Sequence, residues 1–288
     1  MKKDRKKLWA AVWVVSIVLV ITALSVLCIY LYRMYTAGKS YDDISLIMSR
    51  GRTETQDAPI SSLMSETDTA ADFSEASETD SKTKKSDAVN GDVNFTELWK
   101  INTDIYAWIS IPNTNINYPV LQTDGDDAFY LEHNYKKEYE FAGSIYTEKL
   151  NRKDFSDPNT VLYGHNMLNG TMFRHLHNFR DPDFFAANPY IYIYLPDRTL
   201  TYEIFSAYEY DDRHILYSFD FNDKQVFAEY LDYATNPTNS MMYNTRDISV
   251  TADDKIITLS TCLGNIDTSR YLVQGVLISD EPAKANKQ

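Results

Sequence analysis

The stretch Lys255-Ile-Ile-Thr-Leu-Ser-Thr-Cys262 is an apolar strand pattern that ends on a cysteine, and a second strand pattern follows at Arg270-Tyr-Leu-Val-Gln-Gly-Val-Leu-Ile278. Two such patterns joined by a seven-residue loop predict an antiparallel hairpin. In that hairpin, residues 262 and 270 face each other with Cβ atoms roughly 5 Å apart. The Cys262 thiol and the Arg270 guanidinium would share one end of a sheet, where a fixed cation favours thiolate or holds a developing oxyanion.

Outside this hairpin, short strand patterns dominate residues 91–279. They are rich in β-branched and aromatic residues and are bounded by Pro, Asn, Asp or Gly. The predicted strands are Ile105–Ile111, Ile116–Leu121, Ser144–Thr147, Thr160–Tyr163, Tyr190–Leu195, Leu200–Tyr210, Lys255–Thr261 and Tyr271–Ile278. The predicted helices are Met172–Phe179, Asp183–Ala187, Asn222–Thr235 and a short one capped by Asp92 or Asn94. This pattern predicts a mainly β domain with short helices, either a barrel or a sandwich.

The N-terminus has the pattern of a membrane anchor. Residues 1–7 carry five basic side chains and one acidic one, and residues 8–32 carry no charge. As a helix, the uncharged stretch would be about 37 Å long, enough to cross a hydrocarbon core of roughly 30 Å. The basic flank predicts a cytoplasmic N-terminus and an extracellular location for the rest of the chain.

Two alternatives to an uncleaved anchor fit the sequence less well. A cleaved signal peptide would have a shorter apolar core followed by an A-x-A site, and none closes this stretch. A lipoprotein cysteine at Cys28 would need a small residue before it, but Leu27 stands there.

Residues 33–90 are predicted to be a disordered acidic tether. From Gly51 to Asn90, 13 of 40 residues are Ser or Thr and nine are Asp or Glu. Such a segment cannot bury enough apolar surface to offset its chain entropy. Residues 33–50 are the part in which the membrane helix could continue for a few turns, and residues 280–288 are predicted to be a polar tail.

Charge and cysteine content exclude several kinds of site. The net charge of -13 argues against nucleic acid as a partner. Cys28 lies in the predicted membrane segment, so it cannot pair with Cys262, and a four-cysteine zinc site is excluded. A lone extracellular cysteine is either a small buried hydrophobe or a reactive thiol, and its spacing alone leaves both open.

A thiol nucleophile usually needs an imidazole partner. His165 follows a predicted strand and a glycine that permits a tight turn, which is a common place for a catalytic side chain. His175 and His177 stand two apart in a predicted helix, so they point to different faces and are expected to be solvated. His133 and His214 are expected to be exposed. The residues alone favour His165 by a small margin.

Several segments together resemble one enzyme family. Thr258-Leu-Ser-Thr-Cys262 resembles the TLxTC signature of sortases, in the form common in class B. The other similar segments are Tyr163-Gly-His-Asn-Met167, Thr171-Met-Phe173, Arg270-Tyr-Leu-Val-Gln274, Asn117-Tyr-Pro-Val-Leu-Gln122 and Phe205-Ser-Ala-Tyr208. They stand in the family order over roughly residues 92–279.

The resemblance implies a sortase-type closed β-barrel of about eight strands and a cysteine transpeptidase. By resemblance, Cys262 is the nucleophile, His165 the acid and base, and Arg270 the group that stabilises the oxyanion. The implied substrates are secreted proteins with a C-terminal sorting motif. The implied acceptor is an amine of a peptidoglycan precursor or of a pilin, and neither a metal nor a cofactor is implied.

The resemblance also suggests residues that line the substrate groove: Asn117, Leu121, Ser260, Leu216 and Tyr217. Ser260 lies two positions before Cys262, so a strand turns both side chains to one face. Leu121 is equally well explained as ordinary core. Two other functions stay open, namely an extracellular cysteine peptidase with water as acceptor and a non-catalytic tethered domain for adhesion or sensing.

Overall fold

A computed structural model describes residues 2–53, 89–90, 93–264 and 268–283. Helix α1 spans Lys2–Thr53. Its segment Val12–Arg33 has a mean hydropathy of 2.8 and is long and apolar enough to cross a membrane, judged by length and composition. This segment overlaps the predicted anchor at residues 8–32.

Helix α1 continues well beyond the predicted anchor. Residues 33–53 are helical, so the continuation of the helix that the sequence allowed for residues 33–50 is observed. The reason is tertiary, because Tyr41 and Ile44 are buried against the folded domain. The Tyr41 hydroxyl donates a 2.5 Å hydrogen bond to the Gly143 carbonyl. Most of the predicted tether, residues 54–88, lies outside the described residues.

The remaining elements alternate short strands with short helices. The strands are β1 Val89–Asn90, β2 Val93–Asn94, β3 Ile105–Ser110, β4 Asn117–Leu121, β5 Ile145–Tyr146, β6 Asn159–Tyr163, β7 Tyr190–Tyr194, β8 Arg198–Asp211, β9 Met242–Thr245, β10 Ile256–Cys262 and β11 Ser269–Pro282. The helices are α2 Phe95–Ile101, α3 Pro182–Ala187, α4 Ile215–Ser218 and α5 Lys224–Thr235, with 3₁₀ helices at Phe129–Leu131 and Phe173–Arg180. The predicted cap Asn94 accepts the Glu97 amide at the start of α2.

Eight strands close into a barrel in the order β11-β10-β6-β5-β4-β3-β7-β8, and β8 pairs back with β11. This confirms the predicted closed barrel, with β9 added outside on β8. Most neighbours are antiparallel, but β6 pairs with β10 in parallel, and so does β4 with β5. Strand β11 runs to Pro282, which pairs with Arg198, so the folded domain passes the predicted boundary at residue 279.

The core has two parts. Trp108, Ile109 and Leu259 are fully buried in the part that fills the barrel. The second part lies between the barrel wall and α5, where Phe227 and Leu231 of the helix pack in one cluster with Val161 of β6. The segment from β8 through α5 therefore covers the outside of the strands that lead to the site.

A buried polar network joins α5 to the barrel. Gln274 of β11 is fully buried, and its amide donates to the Tyr230 hydroxyl at 2.6 Å and to the Thr258 hydroxyl at 2.8 Å. The Tyr208 hydroxyl donates to the Gln274 carbonyl at 3.2 Å. Tyr230 belongs to α5, so these bonds link the helix to two central strands.

We expect Gln274→Leu to lower the free energy of unfolding by about 2 kcal/mol, because it removes partners of buried hydroxyls. Tyr230→Phe removes one hydroxyl only and should cost roughly half as much. Denaturant unfolding monitored by tryptophan fluorescence measures both. Equal stability of Gln274→Leu and the unaltered protein would show that the network contributes nothing.

Candidate active site

The parallel pairing of β6 with β10 forms the site. Its register places Ser260 beside Tyr163, and the Gly164 amide continues the ladder by donating to the Ser260 carbonyl at 3.2 Å. His165 and Cys262 each stand two positions beyond this pair. Because the strands run in the same direction, both residues come to the same edge of the sheet.

The predicted hairpin brings the third residue. Strands β10 and β11 are antiparallel, and their register pairs Cys262 with Arg270. A cavity of about 310 Å³ contains His165, Cys262 and Arg270 in its wall. Ser260 also lines this cavity, as its position two before Cys262 predicts. The other lining residues are Leu131, Tyr146, Glu148, Tyr163, Gly164, Tyr210, Asp212, Arg213, His214, Ile215 and Thr261.

His165 is held by a hydrogen bond and by a ring. Its Nε2 lies 2.9 Å from the Leu131 carbonyl and therefore carries the proton that is donated there. The Phe141 ring stacks on the imidazole at a centroid distance of 5.5 Å. Burial lowers the pKa of His165, so the imidazole is kept in its neutral form.

Gly164 is needed for packing rather than for an unusual backbone angle. A Cβ atom at this position would lie 2.5 Å from Ile145 Cδ1 and 2.8 Å from Phe173 Cδ2. The absence of a side chain lets the Phe173 ring close under the loop that carries His165. The sequence predicted a turning role for this glycine, whereas its role is close approach.

The carbonyl of Cys262 accepts two side-chain hydrogen bonds. Asn166 Nδ2 donates at 3.0 Å and His177 Nε2 donates at 3.1 Å. Arg174 donates to Asn166 Oδ1 at 3.0 Å, which fixes the orientation of that amide. The backbone at the end of β10 is thus held from the face opposite the sheet ladder.

His177 is not the solvated residue that its helix spacing predicted. It stacks on the Tyr271 ring at a centroid distance of 4.9 Å, and the Arg180 guanidinium lies over the same tyrosine ring at 5.0 Å. Burial, and then the positive charge of Arg180, lower the pKa of His177 to about 4. The error arose because Phe173–Arg180 is a 3₁₀ helix packed on the sheet, not an exposed α-helix.

The other suggested groove residues lie outside this cavity. Leu121 is fully buried in the barrel core, which agrees with the alternative interpretation of this residue as ordinary core. Asn117 accepts a 2.7 Å hydrogen bond from the Trp108 indole on β3. Leu216 and Tyr217 belong to α4 and line an adjacent depression with Asn151. Among residues 2–53, 89–90, 93–264 and 268–283, no three His, Cys, Asp or Glu side chains cluster as metal ligands would.

Sequence reasoning missed a second imidazole in the cavity wall, that of His214, which is paired with a carboxylate. His214 was expected to be exposed, but it is partly buried and its Nε2 lies 2.7 Å from Glu148 Oε2. Nothing in the local pattern joins two residues 66 positions apart. The sequence motifs include Asn166 but did not predict a role for it. Its position directly after His165 could have indicated that it lies at the site.

Comparisons with known proteins agree with this geometry. The Sortase domain model matches residues 109–278. Sortase B of Listeria monocytogenes is 36% identical over 195 residues, which cover 66% of this chain and 77% of that protein. Sortase B of Staphylococcus aureus is 34% identical over 170 residues, 58% of this chain and 67% of that protein. The X-ray structure of Clostridium perfringens sortase B superposes with a TM-score of 0.58 at 35% identity, over 65% of this chain and 100% of that one.

The barrel, the strand that ends on Cys262 and the similarity to sortases define a class of protein. This class is the cysteine transpeptidases that cleave sorting signals. The chain belongs to the sortase family, and the relatives named above are all of class B. The resemblance seen in the sequence motifs is confirmed.

The low pKa of His177 predicts a pH effect on stability. Between pH 6.5, the ordinary value, and about 4, the unfolded chain binds a proton at this residue and the folded chain does not. Acid in this window therefore favours unfolding. His177→Gln, which keeps a donor for the Cys262 carbonyl, should lose stability less steeply as pH falls. Thermal unfolding from pH 7 to 4 tests this, and identical slopes for both proteins would contradict it.

Proposed function

We propose that Cys262, His165 and Arg270 carry out the transpeptidation, and that the enzyme acts outside the cell on a membrane anchor. One observation supports the catalytic assignment above all others. The parallel register of β6 with β10, and the hairpin to β11, bring these three residues to the wall of one cavity. His165 lies 97 positions before Cys262 in the sequence, and Arg270 lies 8 positions after it. Sheet pairing brings all three to one cavity.

In the first half-reaction, the Cys262 thiol gives its proton to neutral His165 as the sulfur attacks a peptide carbonyl of the sorting signal. The C–S bond forms, the C–N bond breaks, and His165 gives a proton to the leaving amine. In the second half, an amine attacks the thioester, His165 takes a proton from it, and sulfur leaves as thiolate. His165 suits both steps, because its neutral form accepts a proton and its cation donates one.

Arg270 supplies the positive charge for the oxyanion. Its position opposite Cys262 in the ladder places a guanidinium at the same sheet end as the reacting carbonyl. The Leu263 amide, next to the nucleophile, already donates to the Ser269 carbonyl at 3.2 Å. A side-chain donor from β11 is therefore the group that we assign to hydrogen-bond the tetrahedral intermediate.

The substrates that we assign to this enzyme are inferred from the sortase family and from one related complex. A solved structure described as a Staphylococcus aureus sortase B-substrate complex covers 64% of this chain at 31% identity, with a TM-score of 0.58. By analogy, the sorting peptide would lie along Ser260 toward Cys262. We assign the acceptor to an amine of the cell wall or of a pilin, since a transpeptidase needs an amine where a peptidase would use water.

The N-terminus supports a location at the cell membrane. The uncharged helix would cross the bilayer with residues 1–7 in the cytoplasm, as the positive-inside rule predicts. The catalytic domain at residues 91–279, with its short continuation to residue 282, would then face outward. Residues 54–88 would link it to α1, so that secreted substrates and the wall are within reach.

We expect Cys262→Ala to abolish the acyl-enzyme adduct formed with sorting peptides, as measured by intact-protein mass spectrometry. His165→Gln should slow adduct formation by about 10²-fold to 10⁴-fold. Arg270→Lys should slow it by about 10²-fold to 10³-fold, because the planar donor pair is lost.

Cys28→Ser is the matched control for the thiol, and its adduct should form at the normal rate. A normal adduct in Cys262→Ala would refute the assignment. Addition of an amine should convert the adduct to an amide product, and release of the free acid alone, at every amine concentration, would favour the peptidase alternative.

The topology is tested in intact cells. A membrane-impermeant biotin reagent should label lysines of the catalytic domain in the full-length protein, and carbonate washing should not release the protein from membranes. Replacement of the basic residues in 1–7 by Gln should weaken this orientation, because these charges hold the flank in the cytoplasm. Release of the unaltered protein by carbonate would contradict membrane anchoring.

A further inference from the structure

The cavity extends beyond Cys262 to a second pair of polar side chains. Glu148 follows β5, and His214 precedes α4. Both line the same cavity as Cys262. The His214 Nε2–H donates to Glu148 Oε2 at 2.7 Å, and the Glu148 side chain is only 15% exposed. A carboxylate so far removed from water needs a partner of opposite charge or a strong donor.

The imidazole is packed so that it can hold this carboxylate in place. The His214 ring lies 4.4 Å from the Tyr217 ring and 6.1 Å from the Tyr163 ring, measured between centroids. Only Nε2 of His214 makes a hydrogen bond within the described part of the chain. Glu148 thus keeps a second carboxylate oxygen that His214 does not engage.

Two tyrosines form part of the wall of this cavity, Tyr163 and Tyr210. Tyr210 is 1% exposed, and both hydroxyl oxygens are buried, so neither is within reach of a ligand in the cavity. Recognition of a polar ligand beside His214 therefore falls to Glu148, whose side chain is 15% exposed.

The charges in the wall indicate which ligand fits. Its carboxylates are Glu148 and the exposed Asp212. The Arg213 guanidinium is paired with Asp211 at 2.9 Å, and Arg270 lies at the Cys262 end. The Glu148 end therefore favours a cation. In a transpeptidase the second substrate is an amine, which at neutral pH arrives largely as ammonium if it is a lysine-type amine with a pKa of about 10.4.

We propose that Glu148 binds the ammonium group of the incoming amine acceptor and removes one of its protons, with His214 fixing the carboxylate. This proposal rests on the function proposed above, in which Cys262 carries the acyl group. It assigns to the cavity two ends, one for acyl transfer and one for activation of the acceptor.

In the second half-reaction, the incoming amine gives up two protons, one to Glu148 and one to His165. The ammonium gives one proton to the Glu148 carboxylate and becomes a neutral amine. Its nitrogen attacks the thioester carbon, the N–C bond forms, and a second N–H proton passes to neutral His165. The C–S bond then breaks and sulfur leaves as the Cys262 thiolate, while Glu148 returns its proton to solvent.

The environment of Glu148 suits this step. Burial raises the pKa of its carboxyl, and the nearby Asp127 raises it further, while the His214 charge and hydrogen bond oppose them. A carboxylate with a raised pKa is a better proton acceptor than an ordinary one.

Glu148→Gln tests the proposal in the full-length enzyme, because it removes the charge but keeps an acceptor for His214. The acyl-enzyme is formed first, and its partition between amide product and hydrolysis is then measured with N-acetyl-lysine methylamide and with hydroxylamine. Hydroxylamine is uncharged at neutral pH and does not need the carboxylate. We expect acylation to stay unchanged, amide formation with the lysine amine to fall about 10-fold to 100-fold, and hydroxylamine transfer to change less than about threefold.

Two matched variants separate this role from others. His214→Ala removes the donor that fixes Glu148 and should lower amide formation with the lysine amine in the same direction as Glu148→Gln, while acylation stays unchanged. Asp232→Asn removes an exposed carboxylate of α5 that does not line the cavity, and it should leave the partition unchanged.

Several results would overturn the proposal. An unchanged partition in Glu148→Gln would do so, as would an equal loss with both nucleophiles. Slower acylation in Glu148→Gln, with a normal partition, would assign the carboxylate to the sorting peptide instead. If no acyl-enzyme forms at Cys262 in the unaltered protein, the proposed function fails before this test is reached.

Discussion

The parallel pairing of β6 with β10 is the constraint on which the site depends. Two strands that run in the same direction end at the same sheet edge, so residues two positions beyond Tyr163 and Ser260 become neighbours. An antiparallel pairing would place His165 and Cys262 at opposite ends of the ladder. The hairpin from β10 to β11 then adds Arg270 from the other side. The barrel closes through β8 and β11, which leaves neither strand as a free edge.

Around this pairing, several side chains restrain Cys262, the proposed nucleophile. Asn166 and His177 bind the Cys262 carbonyl, and Gly164 lets Phe173 pack under the histidine loop. These contacts all come from the segment between β6 and α3, which crosses beneath the sheet end. Restraint of the backbone beside a nucleophile limits the geometry that must be organised during the reaction. The segment that carries His165 therefore also positions Cys262.

Helix α1 packs directly against the catalytic domain. Tyr41 and Ile44 of α1 are buried in the domain core, and Tyr41 binds the carbonyl of Gly143. The neighbouring residue Phe141 stacks on His165. A short run of the chain, residues 141–144, thus contacts both α1 and the His165 imidazole. The orientation of the site relative to the helix is set by packing as well as by covalent connection.

The sequence by itself determined the strands of the barrel, the apolar N-terminal run, the pairing of Cys262 with Arg270 and the family. Apolar runs with β-branched residues predicted all eight barrel strands, because strand periodicity is local, and the uncharged N-terminal run is likewise visible without a fold. The facing of Cys262 and Arg270 followed from a short hairpin. The motifs and their order identified the family. The spacing of Cys262 alone had left open whether its thiol is buried or reactive. The motifs had already singled out His165, but only the tertiary structure showed the contacts that His177 and His214 make at the site. The parallel register, the contact of His177 with Cys262 and the pairing of Glu148 with His214 join residues up to 97 positions apart. Local pattern cannot carry such pairings, because they arise only when the barrel closes and brings distant strand ends together.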